Sequence, residues 1–229
     1  MMTSSRLQRI SLFEGLSEVQ LLRLEELCVE EKFAKNQYLF RQGEPSDWLY
    51  IILKGRVKLV RHAPNGAATI IEIYSIGDEL NAAALVEGKT YSASAKTLTD
   101  GIAIKLSHAH FKKMLSEWSI VGSNMMRELG QRYREMVENL STLAVYSVEG
   151  RLCKVMASLA RRYGIIGDCR GVIVDLGLTR QDLADISGTT LETAIRTLNR
   201  LRTNGLLSWE GKRFFIPDVK ALDAVVCPG

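Results

Sequence analysis

The chain is poor in the residues that staple, ligate or break a fold. Among 229 residues there are four cysteines, three histidines and four prolines. Cys28, Cys153, Cys169 and Cys227 are scattered, and their spacings fit neither a disulfide framework nor a CxxC metal clamp. They read as ordinary thiols, as expected of a protein of the reducing cytoplasm. No run of about twenty apolar residues exists, so no membrane-spanning helix is expected. The start, Met-Met-Thr-Ser-Ser-Arg-Leu-Gln-Arg, lacks an apolar signal core, which argues against secretion. Also missing are a Ser-His-Asp arrangement, a paired-carboxylate motif, zinc spacing and a glycine loop of the kind that cradles phosphate. An enzyme is therefore not expected, and neither is a metal site.

What is present is a soluble, globular composition, 46% apolar and 24% charged. The net charge of +4 is unevenly placed. Residues 148–216 hold 11 Lys/Arg against 7 Asp/Glu, whereas residues 1–147 hold 18 against 17. A local basic excess suits a polyanion partner, although a merely soluble surface gives the same count.

The periodicity changes along the chain. Residues 17–27 alternate as a short amphipathic helix, with Ser17 and Gln20 at capping-box positions. From about Glu30 to Leu106 come short alternating runs such as Trp48-Leu-Tyr-Ile-Ile-Leu53, separated by Gly, Pro and Asn turns, a pattern of sandwiches and barrels. A long helix is predicted from about Glu117 to Tyr146. Val121, Met125, Leu129, Met136, Leu140 and Leu143 make a narrow apolar seam on it, suited to a coiled-coil dimer contact or to packing on the chain's own barrel. The expected division is a sensing domain over 1–116, the long helix over 117–147 and a third part over 148–229.

In that third part Thr179 caps a predicted helix that has Asp182 in its first turn. Gly188 supplies a tight turn. Thr189 and Glu192 then form a T-x-x-E box opening a second helix. Ala194, Leu198 and Leu201 face inward on it; Glu192, Arg196 and Asn199 share the outer face, the first two holding each other in place. Two helices joined in this way form a helix-turn-helix, whose second helix enters a major groove. Arg donates to guanine and Glu accepts from cytosine. Thr190, Thr193, Arg200 and Thr203 are placed for phosphates. A hairpin follows, turning at Glu210-Gly211, with Lys212 and Arg213 at its tip as a wing. The competing reading is a helical hairpin with a solvated charged face.

Phe40-Arg-Gln-Gly-Glu-Pro45, Gly77-Asp78, the long helix, Val148-Glu-Gly-Arg151 and Leu178-Thr-Arg-Gln-Asp-Leu-Ala184 through Glu192-Thr-Ala-Ile-Arg196 resemble the family of the cyclic-AMP receptor protein and the fumarate-nitrate reduction regulator. The resemblance runs from Leu12 to Val219. It implies an α+β fold: a cyclic-nucleotide-binding-like β-barrel of jelly-roll type, a dimerisation helix and a C-terminal winged helix-turn-helix. It further implies an effector-tuned transcription regulator, a homodimer on a palindromic DNA operator, with RNA polymerase as a further partner and no membrane. Glu192 and Arg196 match the residues that contact a TGA-containing half-site. Arg180, Thr190, Leu191, Thr193, Ile195, Asn199, Arg200, Lys212 and Arg213 complete the expected DNA surface. Leu191 and Ile195 depart from the usual occupants, which leaves the outer bases of the site open.

The effector cassette departs further. The residues expected to line it are Gly77, Asn81, Ala82, Ala83, Lys89, Tyr91 and Ser92, with Tyr133, Met136 and Val137 from the long helix. The ribose-binding Glu of the resemblance is replaced by Ala82, the phosphate-binding Arg by Tyr91, and the adenine-reading polar pair by Met136 and Val137. Only Ser92 is retained, and Lys89 is the one substitute cation. Cyclic AMP is therefore not the expected effector. The clustered cysteines of the iron–sulfur subgroup are missing, so no cluster is expected. Haem, with His62, His108 or His110 as ligand, and a small apolar molecule both stay open; a cyclic-nucleotide-binding regulatory module is the alternative function.

Overall fold

The computed structural model describes residues 4–63, 68–80, 82–167 and 171–225, with only the backbone at 83, 84, 135 and 138–144. The chain forms two compact units, the first running to Glu135 and the second from Met136, except that residues 68–70 group with the second.

The first unit opens with α1 (Ser4–Leu7), a 3-10 turn (Ser11–Phe13) and α2 (Glu18–Leu27), whose Ser17–Gln20 capping box forms as the sequence predicts. Eight strands follow: β1 (Val29–Phe33), β2 (Tyr38–Phe40), β3 (Trp48–Lys54), β4 (Val57–His62), β5 (Ala68–Tyr74), β6 (Glu79–Leu80), β7 (Ser94–Thr97) and β8 (Gly101–Ser107). They make two four-stranded sheets, β1-β8-β3-β6 and β2-β7-β4-β5, in keeping with the jelly-roll type expected. A short helix, α3 (Ala82–Glu87), interrupts them and was not legible in the sequence.

Strands β3 and β8 are central because they are covered on both faces. Tyr50, Ile52 and Ala103 point into the core that the sheets share, beside Phe40, Val57 and Ala95. Their neighbours Leu49, Ile51, Ile104 and Leu106 point the other way, onto Phe13, Leu24, Phe111 and Met114 of the helical layer. Side chains alternate along a strand, so a strand buried on two sides must be apolar at nearly every position. That is why 48–53 reads as a continuous run. Each such side chain contributes about 1.5–3 kcal/mol of transfer free energy.

Helix α4 (His108–Glu117), capped by Ser107, leads into α5 (Ser119–Val145), 27 residues or about 40 Å long. The predicted dimer seam needs correcting at its start. Val121 and Met125 lie in the unit's own helical core, Val121 with no exposure at all, and Leu129 packs against them. A side chain already covered within the subunit has no surface to offer a second copy.

After the end of α5, the second unit continues with α6 (Val148–Tyr163), capped by Ser147. Then come β9 (Ile165–Ile166), β10 (Val172–Asp175), α7 (Arg180–Ile186), α8 (Leu191–Thr203), the hairpin β11 (Ser208–Glu210) and β12 (Arg213–Ile216), and α9 (Val219–Ala224). The sheet order is β11-β12-β10-β9. Leu152, Met156, Leu183, Ala194, Leu198, Leu201, Phe214 and Leu222 are buried.

Candidate nucleic-acid interface and effector cassette

Local chemistry builds the helix-turn-helix. Thr179 and Asp182 cap α7 reciprocally: the Asp182 amide donates to Thr179 Oγ1 at 3.1 Å and the Thr179 amide to Asp182 Oδ2 at 2.8 Å. Gly188 adopts φ +60, the left-handed region that L side chains avoid, and the chain reverses there. Helix α8 begins one residue later than the T-x-x-E spacing predicts. Its cap is Thr190, whose hydroxyl accepts from the Thr193 amide at 3.3 Å and donates to Thr193 Oγ1 at 2.9 Å. Glu192 is thus freed from capping.

On α8 the inner stripe of Ala194, Leu198 and Leu201 is buried, while Glu192, Arg196 and Asn199 are exposed. Among the described residues neither Glu192 nor Arg196 has a hydrogen-bond or ion-pair partner, so the expected mutual hold is not made. Leu191 and Ile195 stand beside them, 39% and 42% exposed. The other expected contacts divide into free and tethered. Lys212 is exposed in the hairpin turn, which lies at Gly211-Lys212 and not at Glu210-Gly211: Glu210 pairs with Arg213, and Gly211 takes φ +59. Arg213 pairs with Asp175 at 2.7 Å, which raises its pKa. Arg200 is held by Glu149 of α6. Arg180 donates to the Gly211 carbonyl at 2.6 Å and lies over Trp209 and Phe214, so it braces the wing. Thr203 donates back to the Asn199 carbonyl and is turned onto its own helix.

One brace has partners that the sequence does not reveal. Arg151, near the start of α6, donates to the carbonyls of Ser187 (2.9 Å), Gly188 (3.2 Å) and Tyr146 (3.2 Å). A single guanidinium therefore ties the end of the long helix to the turn before α8. The Val-Glu-Gly-Arg motif pointed at it, but its partners are set by tertiary contacts.

In the cassette Gly77 takes φ +91. Asn81 lies outside the described residues, as does the Ala83 side chain. Ala82 is buried in the helical core. Tyr91, 3% exposed, stacks on Phe40 with ring centres 3.9 Å apart, and its hydroxyl donates to the Trp48 carbonyl at 3.1 Å. Burial pushes its pKa up to about 12, so the ring is neutral. Ser92 is exposed, and Lys89 is a surface residue paired with Glu87 at 2.6 Å rather than a substitute for the missing Arg. Tyr133, Met136 and Val137 are exposed on α5. Leu140 and Leu143 lie on the helix, their side chains outside the described set.

The charged group of this unit is Arg132 of α5, which the sequence reading missed. It donates to Glu72 Oε2 at 3.2 Å and to the Glu79 carbonyl at 3.3 Å, lies 3.0 Å from Glu79 Oε1, and covers the Tyr74 ring. Burial opposes its charge, but Glu79, Tyr74 and Glu72 outweigh that and move its pKa upward. Glu79 is buried, and desolvation with the adjoining Glu128 carboxyl raises its pKa to about 8. The buried Glu128 Oε2, which has no hydrogen-bond partner among the described residues, lies beside the carboxyl of Glu79 on which burial favours the proton. The position that the resemblance gives to a phosphate-binding Arg thus holds a neutral aromatic ring, and the part-buried Arg132 guanidinium is engaged by Glu72 and Glu79.

Cys28 and Cys153 are thiols that burial pushes up to about 12. Among the described residues no cluster of three or more His, Cys, Asp or Glu is placed to hold a metal ion. His62 ends β4, whereas His108 and His110 open α4. No helix among those residues is long and apolar enough to cross a membrane.

Comparison with known proteins matches two domain families in the order that the geometry suggests. The cyclic nucleotide-binding domain family matches residues 30–117, and the Crp-like helix-turn-helix domain family matches 150–225. The chain is 27% identical over 216 residues to the CRP-like cAMP-activated global transcriptional regulator of Mycobacterium tuberculosis, covering 94% of this chain and 96% of that one. Among solved structures, FixK2 of Bradyrhizobium japonicum superposes with a TM-score of 0.77 at 20% identity, over 88% of this chain and 98% of its own. The c-di-GMP-responsive global regulator CLP of Xanthomonas campestris superposes with 0.76 at 20% identity, over 88% and 100%. With a sensing domain, a long helix and a winged helix-turn-helix in that order, and both end domains matched, the chain belongs to the CRP/FNR family of DNA-binding transcription regulators.

Proposed function

We propose that two copies of this chain join along α5 and bind a palindromic DNA operator, with an effector in the first unit setting the affinity. The observation that carries this reading is the outward, unpartnered pair Glu192 and Arg196 on a helix whose other face is buried. Unpaired charges on such a face are suited to base edges, with Asn199 beside them and Lys212 toward a phosphate. Met126 and Tyr133, a heptad apart and exposed, with Met136 and Val137 continuing the spacing, supply an apolar dimer stripe in place of the buried Val121 and Met125. A two-fold protein calls for a two-fold site, and TGA-type half-sites one helical turn apart are the target. Such a protein works in the cytoplasm, beside RNA polymerase.

The effector is not cyclic AMP in this reading. Tyr91 fills the place of the phosphate cation, and Arg132 is engaged by Glu72 and Glu79, so a phosphodiester finds no charge-assisted contact. The relatives named above differ in the nucleotide that their names give, which is in keeping with a fold that does not dictate its effector. A gel-shift titration tests the reading. A palindrome of TGA-type half-sites is expected to bind tightly and a scrambled duplex weakly, with a single half-site between them. Equal retention of all three would overturn it. Calorimetry with cyclic AMP is expected to show no binding at micromolar concentration. A Soret band in protein from haem-replete cells would identify haem as the effector instead of a small apolar molecule.

A further inference from the structure

We infer that Leu191 and Ile195 read the C5-methyl groups of thymines, and so set the bases of the operator that flank those met by Glu192 and Arg196. The inference rests on the DNA-binding reading above and adds a base identity to it. Leu191 is the first residue of α8 and Ile195 stands one turn on, so the two share a face. At 39% and 42% exposed, they carry solvated apolar surface on a helix whose inner stripe already fills the core. Folding gains nothing from leaving them out, since α8 already gives Ala194, Leu198 and Leu201 to the core of this unit.

Their surroundings suit a methyl group better than a hydrogen-bonding edge. A hollow of about 460 Å³ opens on this face, lined by Thr179, Arg180, Leu191, Ile195, Asn199 and Trp209. The polar groups at its rim are mostly occupied. Thr179 Oγ1 takes the Asp182 amide, and Arg180 holds the Gly211 carbonyl and covers Trp209. What the hollow offers a base is therefore apolar contact. In the major groove thymine alone presents a methyl group, and apolar side chains distinguish it by contact rather than by hydrogen bonds. The charged pair is offset by one residue from the apolar pair, Glu192 and Arg196 against Leu191 and Ile195. Two adjacent stripes on one helix then address neighbouring bases by different chemistries.

Uracil is the discriminating probe, because it differs from thymine only by the methyl. The full-length protein is first used to select duplexes from a randomised pool. Thymine is expected at two positions per half-site beside the core bases. Each thymine is then replaced by deoxyuridine, and the ratio of affinities is measured in one preparation, so the effector state cancels. Burying a methyl is worth a factor of about four, so each replacement is expected to weaken binding about fourfold. Leu191→Ala should abolish the thymine-over-uracil preference at one position and Ile195→Ala at the other, each leaving the preference for the core bases intact. Both residues are exposed, and unchanged circular dichroism and melting temperature will show that the variants fold. Putting 5-methylcytosine in place of cytosine at the same positions is expected to recover part of the lost affinity. Equal affinity for thymine and uracil with core preference intact would overturn the methyl reading alone. So would Leu191→Ala and Ile195→Ala variants that retain the full preference. If no sequence is enriched at all, the DNA-binding reading falls, and this inference with it.

Discussion

The two units handle charge in opposite ways. In the first, Arg132 is drawn inward and enclosed by Glu72 and Glu79, with Glu128 beside them. In the second, Glu192 and Arg196 stand in solvent one turn apart and do not pair. A buried charge survives only if its partners come with it, so the inward cluster is complete in itself. A surface charge has no such requirement, since water satisfies it until something better arrives. The comparison separates charges that serve the fold from charges left available to a ligand. It also divides the second unit, where Arg180, Arg200 and Arg213 are tethered to Gly211, Glu149 and Asp175.

The sharpest test removes the inward cation. Arg132→Ala leaves Glu72 and Glu79 facing each other in a poorly hydrated place. The expected cost at pH 7 is about 3 kcal/mol, at the low end for one partner of a buried pair. It should grow toward pH 9, where Glu79 gives up its proton and the carboxylate is left without its cation. Denaturant titration at the two pH values reads this, and a cost that does not change with pH would break the contrast.

Next comes the outward cation. Arg196→Ala is expected to lose about 1–3 kcal/mol of DNA-binding free energy and to relax the choice of base, with stability unchanged. Arg200→Ala, which removes a group tethered to Glu149, should leave the choice of base unchanged. A gel-shift titration on matched and mismatched duplexes separates the two patterns.

A pH-dependent effect follows from the proton on Glu79. Glu79 has a folded pKa raised to about 8 from an ordinary value near 4.5. Its protonated form stabilises the fold, so that stability is fully present below about pH 4.5 and is lost as pH rises through about 8. The unfolding free energy of the wild type should decline across this window by up to about 1.4 kcal/mol per pH unit from this group, read as a falling melting temperature. Glu79→Gln, which copies the protonated carboxyl in shape, should flatten the decline. An equally steep decline in the variant would show that the proton lies elsewhere.

The smallest effect distinguishes the two threonines at the start of α8. Thr190→Ala should cost about 1 kcal/mol by removing the cap, and Thr189→Ala much less. Chemical denaturation of the two variants decides whether the helix begins where the hydroxyl geometry puts it.

Much of this architecture could be read in the chain. Gly188, the Thr179–Asp182 box and the inner stripe of α8 specify a helix-turn-helix through local rules. The alternating runs from 30 to 106 specify strands. The errors share a cause. The α8 cap and the wing turn were each misplaced by one residue, because Thr189 and Thr190 both satisfy the local chemistry, as do Glu210-Gly211 and Gly211-Lys212. The seam on α5 went wrong because an apolar stripe does not say which surface covers it: Val121 and Met125 meet their own helical layer. Arg132 was passed over because a lone Arg on a long helix looks like any solvated charge until Glu72, Glu79 and Tyr74 are brought around it. Arg180, expected at the DNA, turned out to brace the wing for the same reason.

The sequence by itself determined most of the helices and strands, α3 apart, and which face of α8 is buried, because periodicity, capping and glycine act within a few residues. Only the tertiary structure decided which charges are used up and which are left over. That depends on which carboxylate or carbonyl arrives from tens of residues away, and desolvation then makes the pairing obligatory.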